Sequence, residues 1–524
     1  MEDWLYYSLS IAFCLALSLL SSLRPPAGKP GAPPLPPGPT ALTTLGPLLL
    51  LAWTSINIES IIRIYKAWYG PVFTVYLLPS FPVVFVADRH LARRVLVQRG
   101  AAFADRPRAN LATRLFSSDA HNITAGAYGP LWRALRRNLT GKVLHPSSLR
   151  RYAAARRRAA AGLLDGVRRQ MLRDGVVVVQ GLLHQASFHV LIAMCFGEGL
   201  AGDVVGVVAE MMRDFLKSSV GFQVFGACPA VTKLLFRSRY KKMLEFRRRQ
   251  EELFIPLIRA RMARRRRDAA AAAGDEDGGF ASVDYCYVDS LLDLSVPVDG
   301  GRSLTEHEMV GLCTEFLSGP VDSTVTAMQW TMANLVARPE IQAKLRAEIR
   351  HVAGKGAAAA AIEDEHLARM PYLRAVVLES LRRHPPNRFM MPHAAAEDGG
   401  AAIDGGYAVP KHASVNFTLG GMAMDEEVWP EPRRFRPERF LPGGEGEDVD
   451  LTGGREIKMM PFGAGRRMCP GVDMSLLHLE FFVATMVKEF EWREVPGEPV
   501  DFADKLELTM VMRRPLRAKV VPCE

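Results

Sequence analysis

Helical periodicity dominates the chain from about Ile56 onward, and no other feature limits the possible folds as strongly. Apolar residues recur at helical spacing in long segments, which are residues 131–144, 149–171, 308–336, 339–352 and 370–383. Strand-like runs are shorter and lie at residues 72–78, 83–86 and 506–513. The pattern therefore predicts a mainly α-helical body with small peripheral β-sheets.

Low-complexity stretches interrupt this periodicity at residues 269–279, 354–361 and 443–454. Because periodic segments continue on both sides, we expect surface loops within one domain. The second stretch contains GKGAAA, which formally matches a dinucleotide-binding fingerprint. It lies in an alanine tract and follows no clear strand, so we interpret it as a chance match. Electrons for any redox chemistry must then come from another protein.

The 524-residue chain has a net charge of +10, and its densest basic runs are residues 247–249 and 264–267. Neither zinc-finger spacing nor an RNA-binding aromatic signature accompanies them, so nucleic acid is not expected as a partner. A solvated helix face is the favoured interpretation, and attraction to an anionic membrane or an acidic protein is the alternative. The seven cysteines are scattered and include no C-x-x-C pair, which excludes a disulfide framework and fits a reducing compartment.

Residues 4–23 form a run without a charged side chain, which as a helix would span roughly 30 Å, the thickness of a bilayer core. Acidic residues precede the run and basic residues follow it, which places the body of the protein in the cytosol. A cleaved signal peptide is the alternative, but the acidic start and the length favour a retained anchor. Residues 25–39 are proline-rich and predict a stiff spacer. We therefore divide the chain into an anchor at 1–24, a hinge at 25–40 and a folded domain at 41–524.

The most informative local feature is the loop PFGAGRRMCPG at residues 461–471. Its glycines permit positive φ angles and close approach of the backbone. Cys469 lies where the loop meets an apolar helical segment, and the free N–H groups of a helix start, together with a nearby arginine, stabilise a thiolate. A lone cysteine there would be interpreted as a small residue at a helix start. In this loop it suits ligation of iron, where strong electron donation favours O–O cleavage.

The loop resembles the haem-binding signature F-x-x-G-x-R-x-C-x-G of cytochromes P450, with Phe462, Gly465, Arg467, Cys469 and Gly471 at the fixed positions. The resemblance covers essentially the whole chain and is typical of plant microsomal members (class II, A-type). It implies the cytochrome P450 fold preceded by one N-terminal transmembrane helix, with haem b as cofactor. Cys469 would be the axial ligand of the haem iron, and residues 41–524 would be the catalytic domain.

Further motifs appear in the order that this family shows. Glu379 and Arg382 form E-x-x-R on a helical segment, where residues at i and i+3 share a face. Arg439 follows in P-x-R-F. E-x-x-R alone is nearly uninformative, because such surface pairs are common. The resemblance implies that these three residues form a buried network behind the haem, in which mutual pairing offsets the cost of burying charge.

Polar residues that could hold the haem propionates are also present. Trp132 and Arg136 lie one helical turn apart and resemble the family's W-x-x-x-R helix. His393 occupies a position where relatives carry a basic residue, although a surface histidine is the alternative for this residue. Arg467 is a further donor, because the arginine fork suits carboxylates.

The segment FLSGPVDSTVTAMQW at residues 316–330 resembles the oxygen-activating helix of the family, with departures from its A-G-x-D-T-T pattern. The resemblance gives Asp322 and Ser323 the roles of the acid and alcohol that deliver protons during oxygen activation, with Thr324 as the next candidate. Serine replaces the usual threonine and loses the methyl group that restricts χ1. Pro320 replaces a glycine and should kink the helix. It either fixes a distortion that the family already has or remodels the pocket.

The function that the resemblance implies is a haem-thiolate monooxygenase that inserts one atom of O₂ into a hydrophobic small molecule. NADPH-cytochrome P450 reductase would supply the electrons. The protein would be a single-pass protein of the endoplasmic reticulum membrane whose catalytic domain faces the cytosol. Alternatives are a haem-thiolate isomerase or dehydratase that needs no reductase, and a membrane-tethered haem-binding protein without turnover. The sequence does not identify the substrate.

Overall fold

The computed structural model describes residues 34–39, 58–78, 81–226, 229–272, 285–297, 300–354, 361–396, 401–403, 405–411 and 413–523. The predicted anchor at residues 4–23 and the first part of the proline-rich hinge lie outside the described residues. The chain divides into two compact units. The described parts of Met1–Arg108, together with Asn387–Arg434 and Asp448–Cys469, form the first unit. The described parts of Ala109–Pro386, Phe435–Glu447 and Pro470–Glu524 form the second.

The helices are α1 (Ile58–Tyr69), α2 (Arg89–Arg93), α3 (Leu111–Phe116), α4 (Pro130–Asn138), α5 (Pro146–Leu149), α6 (Ala153–Asp174), α7 (Val179–Phe196), α8 (Gly202–Phe222), α9 (Pro229–Leu235), α10 (Arg237–Ala272), α11 (Tyr287–Leu292), α12 (Glu306–Val336), α13 (Pro339–Ala353), α14 (Asp364–Leu367), α15 (Pro371–Arg383), α16 (Leu419–Ala423) and α17 (Val472–Glu489). The strands are β1 (Val72–Leu78), β2 (Phe81–Val86), β3 (Val177–Val178), β4 (Ala401–Ala402), β5 (Ala408–Val409), β6 (Ser414–Phe417), β7 (Phe490–Arg493), β8 (Asp504–Leu506), β9 (Met510–Met512) and β10 (Arg517–Pro522). Shorter 3₁₀ turns include Pro437–Phe440 and Gly465–Arg467, and π-helical turns occur at Arg94–Gln98 and Leu139–Val143.

The first unit is built on the sheet β1-β2-β6. Strands β1 and β2 pair antiparallel, and β6 pairs parallel to β2 with Val83 opposite Ser414. Alternate residues of a strand point to the same face. On β2 and β6 the residues of the inward face are fully buried. They include Val84, Val86 and Phe417. This buried face belongs to the same apolar cluster as Leu96 and Ala464, so the core of the unit extends to the start of the cysteine loop.

The second unit is arranged around α12, which packs against α7, α15 and α17. A capping box starts α12: Thr305 accepts the amide of Glu308, and the Glu308 carboxylate accepts the amide of Thr305. From Thr324 to the end of the helix every side chain is buried. Among the described residues, α7 is the helix whose length and apolar composition would allow it to cross a membrane. However, 67% of it is buried within the unit, as expected of a core helix.

The expectation of a mainly helical body with small peripheral sheets is confirmed. Several boundaries differ from those expected. The helix predicted at 131–144 ends as a π-helical turn, and the run at 506–513 is divided between β8 and β9, which pair through Leu506 and Met510. The loop expected at 269–279 begins in helix, because α10 continues to Ala272.

The basic run at 247–249 is only partly a solvated face. Arg248 and Arg249 are exposed, whereas Arg247 is buried. Its guanidinium donates to the side chain of Ser118 at 3.2 Å and to the carbonyl of His307 at 3.0 Å. Ser118 has a φ of +49°, so Arg247 supports a strained turn before α4.

Candidate functional site

The residues of the predicted site fall in both units, and each group is described within its own unit. In the first unit, Cys469 follows the 3₁₀ turn Gly465–Arg467. Its backbone amide donates to the carbonyl of Phe462 at 2.8 Å, and the amide of Met468 donates to the carbonyl of Gly465 at 3.2 Å. These bonds close the loop on itself and fix the backbone that carries the thiol. The side chain of Cys469 remains partly exposed, so a ligand can reach the sulfur.

The glycines of the loop are needed for its shape. Gly463 and Gly465 have φ angles of +72° and +73°, a region that residues with a Cβ atom rarely adopt. A Cβ atom on Gly465 would lie 2.0 Å from the carbonyl oxygen of Leu96, and one on Gly463 would lie 2.9 Å from the Met390 methyl group. The loop therefore packs on the backbone of Leu96 and the side chain of Met390, which holds the thiol in one place.

Arg467 and His393, both predicted to hold propionates, are buried in the first unit. Arg467 Nε donates to the carbonyl of Ala104 at 2.6 Å. His393 Nδ1 donates to the carbonyl of Met391 at 2.9 Å. Burial, reinforced by the positive charges of Arg106 and Arg467, lowers the pKa of His393 to about 3. The imidazole is therefore neutral with its proton on Nδ1, and its Nε2 could donate to a carboxylate only if a nearby anion raised this pKa.

In the second unit the structure brings Glu379, Arg382 and Arg439 together, and all three side chains are fully buried. Arg382 donates to both oxygens of Glu379 at 2.7 and 2.9 Å, and Arg439 Nε lies 3.4 Å from the same carboxylate. The backbone amide of Arg436 also donates to it at 2.9 Å. The network joins α15 to the 3₁₀ turn Pro437–Phe440. Its partners offset the cost of removing charge from water.

Trp132 and Arg136 both lie on α4, with the guanidinium carbon of Arg136 6.0 Å from the centre of the indole ring. The indole N–H of Trp132 donates to the carbonyl of Ile123 at 2.9 Å. An indole has a single donor, and in this structure the donor of Trp132 bonds to the loop before α4, so its role toward a propionate stays a prediction. Glu315 accepts the backbone amides of Ile123 and Thr124 at 3.1 and 2.5 Å. Trp132 and Glu315 thus hold the loop before α4, while Arg136 keeps the expected donor chemistry.

The oxygen-activation segment lies within α12, which continues through Pro320 without interruption of the helix. Ser323 Oγ donates to the carbonyls of Gly319 and Pro320, each at 3.2 Å. The hydroxyl of Thr324 is buried and has no hydrogen-bond partner among the described residues. The neighbouring hydroxyls therefore differ: the first is bonded to its own helix and the second is unsatisfied in the core.

Asp322 has a partner that the sequence did not indicate. Its Oδ1 lies 3.2 Å from Nε2 of His184 on α7, and the two side chains are 22% and 19% exposed. His184 Nδ1 lies 3.0 Å from the carbonyl of Gln180 one turn earlier. His184 is 138 positions from Asp322 in the chain. Only the position of His184 on a helix that packs against α12 could have suggested the contact, and a single sequence does not show helix pairing.

Comparisons with known proteins establish the family. The cytochrome P450 family model matches residues 36–522. Cytochrome P450 89A9 of Arabidopsis thaliana is 40% identical over 498 residues, covering 93% of this chain and 94% of that protein. The chain is a cytochrome P450. Cytochrome P450 76M5 of Oryza sativa is 33% identical and covers 98% of both chains. A zebrafish cytochrome P450 solved with progesterone has a TM-score of 0.71 at 22% identity, covering 89% of this chain and all of that one, and shows the same fold.

As a member of this family, the P450 described here binds haem b and is a monooxygenase, an oxidoreductase that incorporates oxygen from O₂ into a small organic molecule. Such an enzyme also requires a redox partner. The described residues fit the cofactor chemically. The first unit presents a partly exposed thiol on a backbone fixed by glycine contacts, and a buried guanidinium close to it in sequence. Thiolate sulfur is a haem-iron ligand, and arginine suits propionate carboxylates.

Proposed function

We propose that this P450 is a microsomal monooxygenase that inserts one oxygen atom into a hydrophobic small molecule, with electrons from NADPH delivered by NADPH-cytochrome P450 reductase. The observation that carries the proposal is the cysteine loop. Its thiol is partly exposed, its backbone is closed by hydrogen bonds, and Gly465 has no room for a side chain against the backbone of Leu96. This loop stands in a chain that matches the family over residues 36–522.

In this proposal Cys469 is the axial thiolate ligand of the haem iron, and Phe462 and Gly471 complete the loop around it. Haem, when bound, supplies the binding and reductive activation of O₂. Arg467, Arg136 and His393 would pair with its propionates. His393 takes part only if the propionate overcomes the burial that now lowers its pKa to about 3.

The residues of α12 would hold and move protons. The Asp322 carboxylate is partly exposed, so it can exchange protons with solvent. The Ser323 hydroxyl can hold a water molecule while it donates to the helix carbonyls, since a hydroxyl has one donor and two acceptor positions. An isomerase or dehydratase would not need external protons delivered in this way, and this pair therefore favours a monooxygenase.

A hydrophobic substrate is supported by an aromatic cluster formed by α3, α8 and α10. The ring centres of Phe116 and Phe215 are 4.7 Å apart in an edge-to-face arrangement. The ring centre of Phe222 lies 6.0 Å from that of Phe116 and 6.1 Å from that of Phe246. Such rings offer large apolar areas without demanding hydrogen bonds. We propose that this cluster contacts the substrate.

Attachment to the membrane of the endoplasmic reticulum is supported by the uncharged run at residues 4–23 and by a surface on α9 and α10. Large apolar side chains are exposed there beside basic ones. A mixed surface of this kind suits the boundary between acyl chains and anionic headgroups. The apolar members are Val231, Leu234, Leu235 and Leu244, and the basic members are Lys233, Arg237 and Lys241.

The proposal is tested first by the spectrum of the reduced protein with carbon monoxide. A thiolate-bound haem should absorb at about 450 nm in this state, and Cys469→Ala should abolish the band. Cys523→Ala, which changes a partly exposed cysteine near the C-terminus, is the matched control and should retain it. A band that survives in Cys469→Ala would show that another residue binds the iron.

The second test separates monooxygenase from isomerase. The purified protein is incubated with an extract of its own tissue, with and without reductase and NADPH, and the products are identified by mass spectrometry. A product that gains one oxygen only when both are present supports the proposal. A product that forms without them, at unchanged composition or with loss of water, would favour the isomerase or dehydratase.

A further inference from the structure

The contact between His184 and Asp322 connects the centre of α12 to α7. His184 Nε2 and Asp322 Oδ1 are 3.2 Å apart, and both side chains are about four-fifths buried. Each nonetheless keeps some exposure to solvent, at 19% and 22%. An ionisable pair in this position is shielded from most of the solvent, yet it can still exchange protons with water.

Hydrogen-bond chemistry determines how many protons this pair holds. His184 Nδ1 is 3.0 Å from the carbonyl of Gln180, and a carbonyl only accepts, so Nδ1 carries a hydrogen. In a neutral imidazole Nε2 would then be an acceptor and would face the Asp322 carboxylate unfavourably. The contact therefore requires one additional proton, held either on Nε2 of His184 or on Oδ1 of Asp322.

We propose that His184 is a proton-relay residue that recharges Asp322 during oxygen activation. The one proton that the pair shares passes from Nε2 of His184 to Oδ1 of Asp322, and Asp322 then gives it up at the site of oxygen activation. The neutral imidazole then takes a proton from solvent at Nε2, while Nδ1 keeps its hydrogen bond to Gln180. Charge and protons balance within each cycle, and the electrons come from the redox partner. The inference deepens the proposed function and rests on the role of Asp322 in it. His184 acts through Asp322 and is a positioning residue.

The competing explanation is a purely structural ion pair that holds α7 against α12. Both explanations predict some loss of stability when His184 is replaced, so stability does not separate them. The fate of O₂ does. Reduction of O₂ to peroxide uses one NADPH, whereas reduction to two molecules of water uses two NADPH and needs more protons delivered to the cleaved O–O bond. This ratio can be measured without the organic substrate.

The experiment uses the full-length holoprotein reconstituted with reductase, NADPH and O₂, without added substrate. NADPH consumption, O₂ consumption and hydrogen peroxide are followed for wild type, His184→Gln, His184→Ala, Asp322→Asn and the double variant His184→Gln/Asp322→Asn. Glutamine keeps a donor toward Asp322 but cannot pass a proton on. His189→Gln is the matched control, because His189 is an exposed histidine on the same helix. The carbon monoxide spectrum establishes that each variant retains its haem.

We expect both His184 variants to consume less NADPH per O₂ and to release more peroxide, with water formation lowered on the order of 10-fold, below the 10²–10⁴ that a direct general acid contributes. The double variant should match Asp322→Asn alone, since residues that act in series are not additive. Deuterium oxide should slow water formation less in His184→Gln than in wild type. The relay is wrong if His184→Gln and wild type consume the same amount of NADPH per O₂ while Asp322→Asn consumes less. It is also wrong if the effects of the two substitutions add in the double variant. If the wild type shows no reductase-dependent NADPH consumption, the proposed function itself fails.

Discussion

The cysteine loop of the first unit and the middle of α12 in the second place their reactive groups by different means. In the loop, contiguous residues determine the geometry: Gly463 and Gly465 adopt positive φ angles, and the amide of Cys469 bonds to Phe462 seven residues earlier. In α12 the backbone is ordinary helix, and the direction of the Asp322 side chain depends on His184, 138 residues away.

The difference shows which kind of site can be read from sequence. A site built from backbone sterics requires glycine at particular positions, and those positions are visible in a single chain. A site built from side-chain partners requires only that two helices meet. Substitutions should therefore have different consequences in the two regions: steric and largely independent of pH in the loop, electrostatic and graded in α12.

The largest effect is expected for Gly465→Ala. The added Cβ would lie 2.0 Å from the backbone carbonyl of Leu96, which cannot move like a side chain, and the φ of +73° is unfavourable for alanine. We expect the loss of most of the 450 nm absorbance and a fall in the free energy of unfolding of roughly 3 kcal/mol. Carbon monoxide spectra and thermal unfolding measure the two effects.

Gly70→Ala is the matched control for this substitution. Gly70 lies in the same unit and also has a positive φ, at +93°, but a Cβ atom there would meet nothing within 4 Å. Only backbone strain remains, so the cost should be about 1 kcal/mol and the haem spectrum should be retained. Equal effects of the two variants would show that strain alone, and not contact with Leu96, governs the loop.

The helical body and the glycine loop could be predicted because their signals lie within a few residues of one another. Long-range partners could not. Glu315 caps the amide of Ile123 across 192 positions, and Arg247 supports Ser118 across 129. The bond from the indole of Trp132 to Ile123 could not be foreseen for the same reason, since its acceptor belongs to a loop whose position the sequence does not define. The sequence shows which side chains could donate hydrogen bonds but not which acceptors lie close enough to receive them.

Substitution of the hydroxyl side chains of α12 is expected to change the peroxide released per NADPH by several-fold at most. Ser323→Ala removes the group bonded to the Gly319 and Pro320 carbonyls and should raise peroxide per NADPH while the haem spectrum is retained. Ser323→Thr should preserve or lower this ratio, because its methyl restricts χ1. Thr324→Val removes a buried, unsatisfied hydroxyl, so it should leave the ratio unchanged and stabilise the fold by about 1 kcal/mol. A rise in peroxide from Thr324→Val but not Ser323→Ala would transfer the role to Thr324.

The smallest effect concerns the start of α12, where the electrostatic character of this region can be measured as a function of pH. Burial alone would raise the pKa of Glu308, but hydrogen bonds from Arg302, Thr305 and His121 outweigh it and lower this pKa to about 2. The unfolded carboxyl has a pKa near the ordinary glutamate value of 4.5. Because the folded value is depressed, the stabilisation is present above about pH 4.5 and is lost as the pH falls toward 2.

Glu308→Gln removes this charge with little change in shape and tests the argument directly. At neutral pH it should lower the melting temperature by a few degrees, because hydrogen bonds to a charged group are the stronger kind. Below about pH 4 the difference from wild type should shrink, since the Glu308 carboxyl of the unfolded wild type then takes up a proton, which favours unfolding. Glu365→Gln, at an exposed position on α14, should differ little from wild type throughout. Gly465→Ala should be destabilised by the same amount at both pH values, because a steric clash carries no charge. A Glu308→Gln difference that stays constant from pH 7 to pH 3 would mean that α12 is held at its start by shape, as the cysteine loop is, and not by charge.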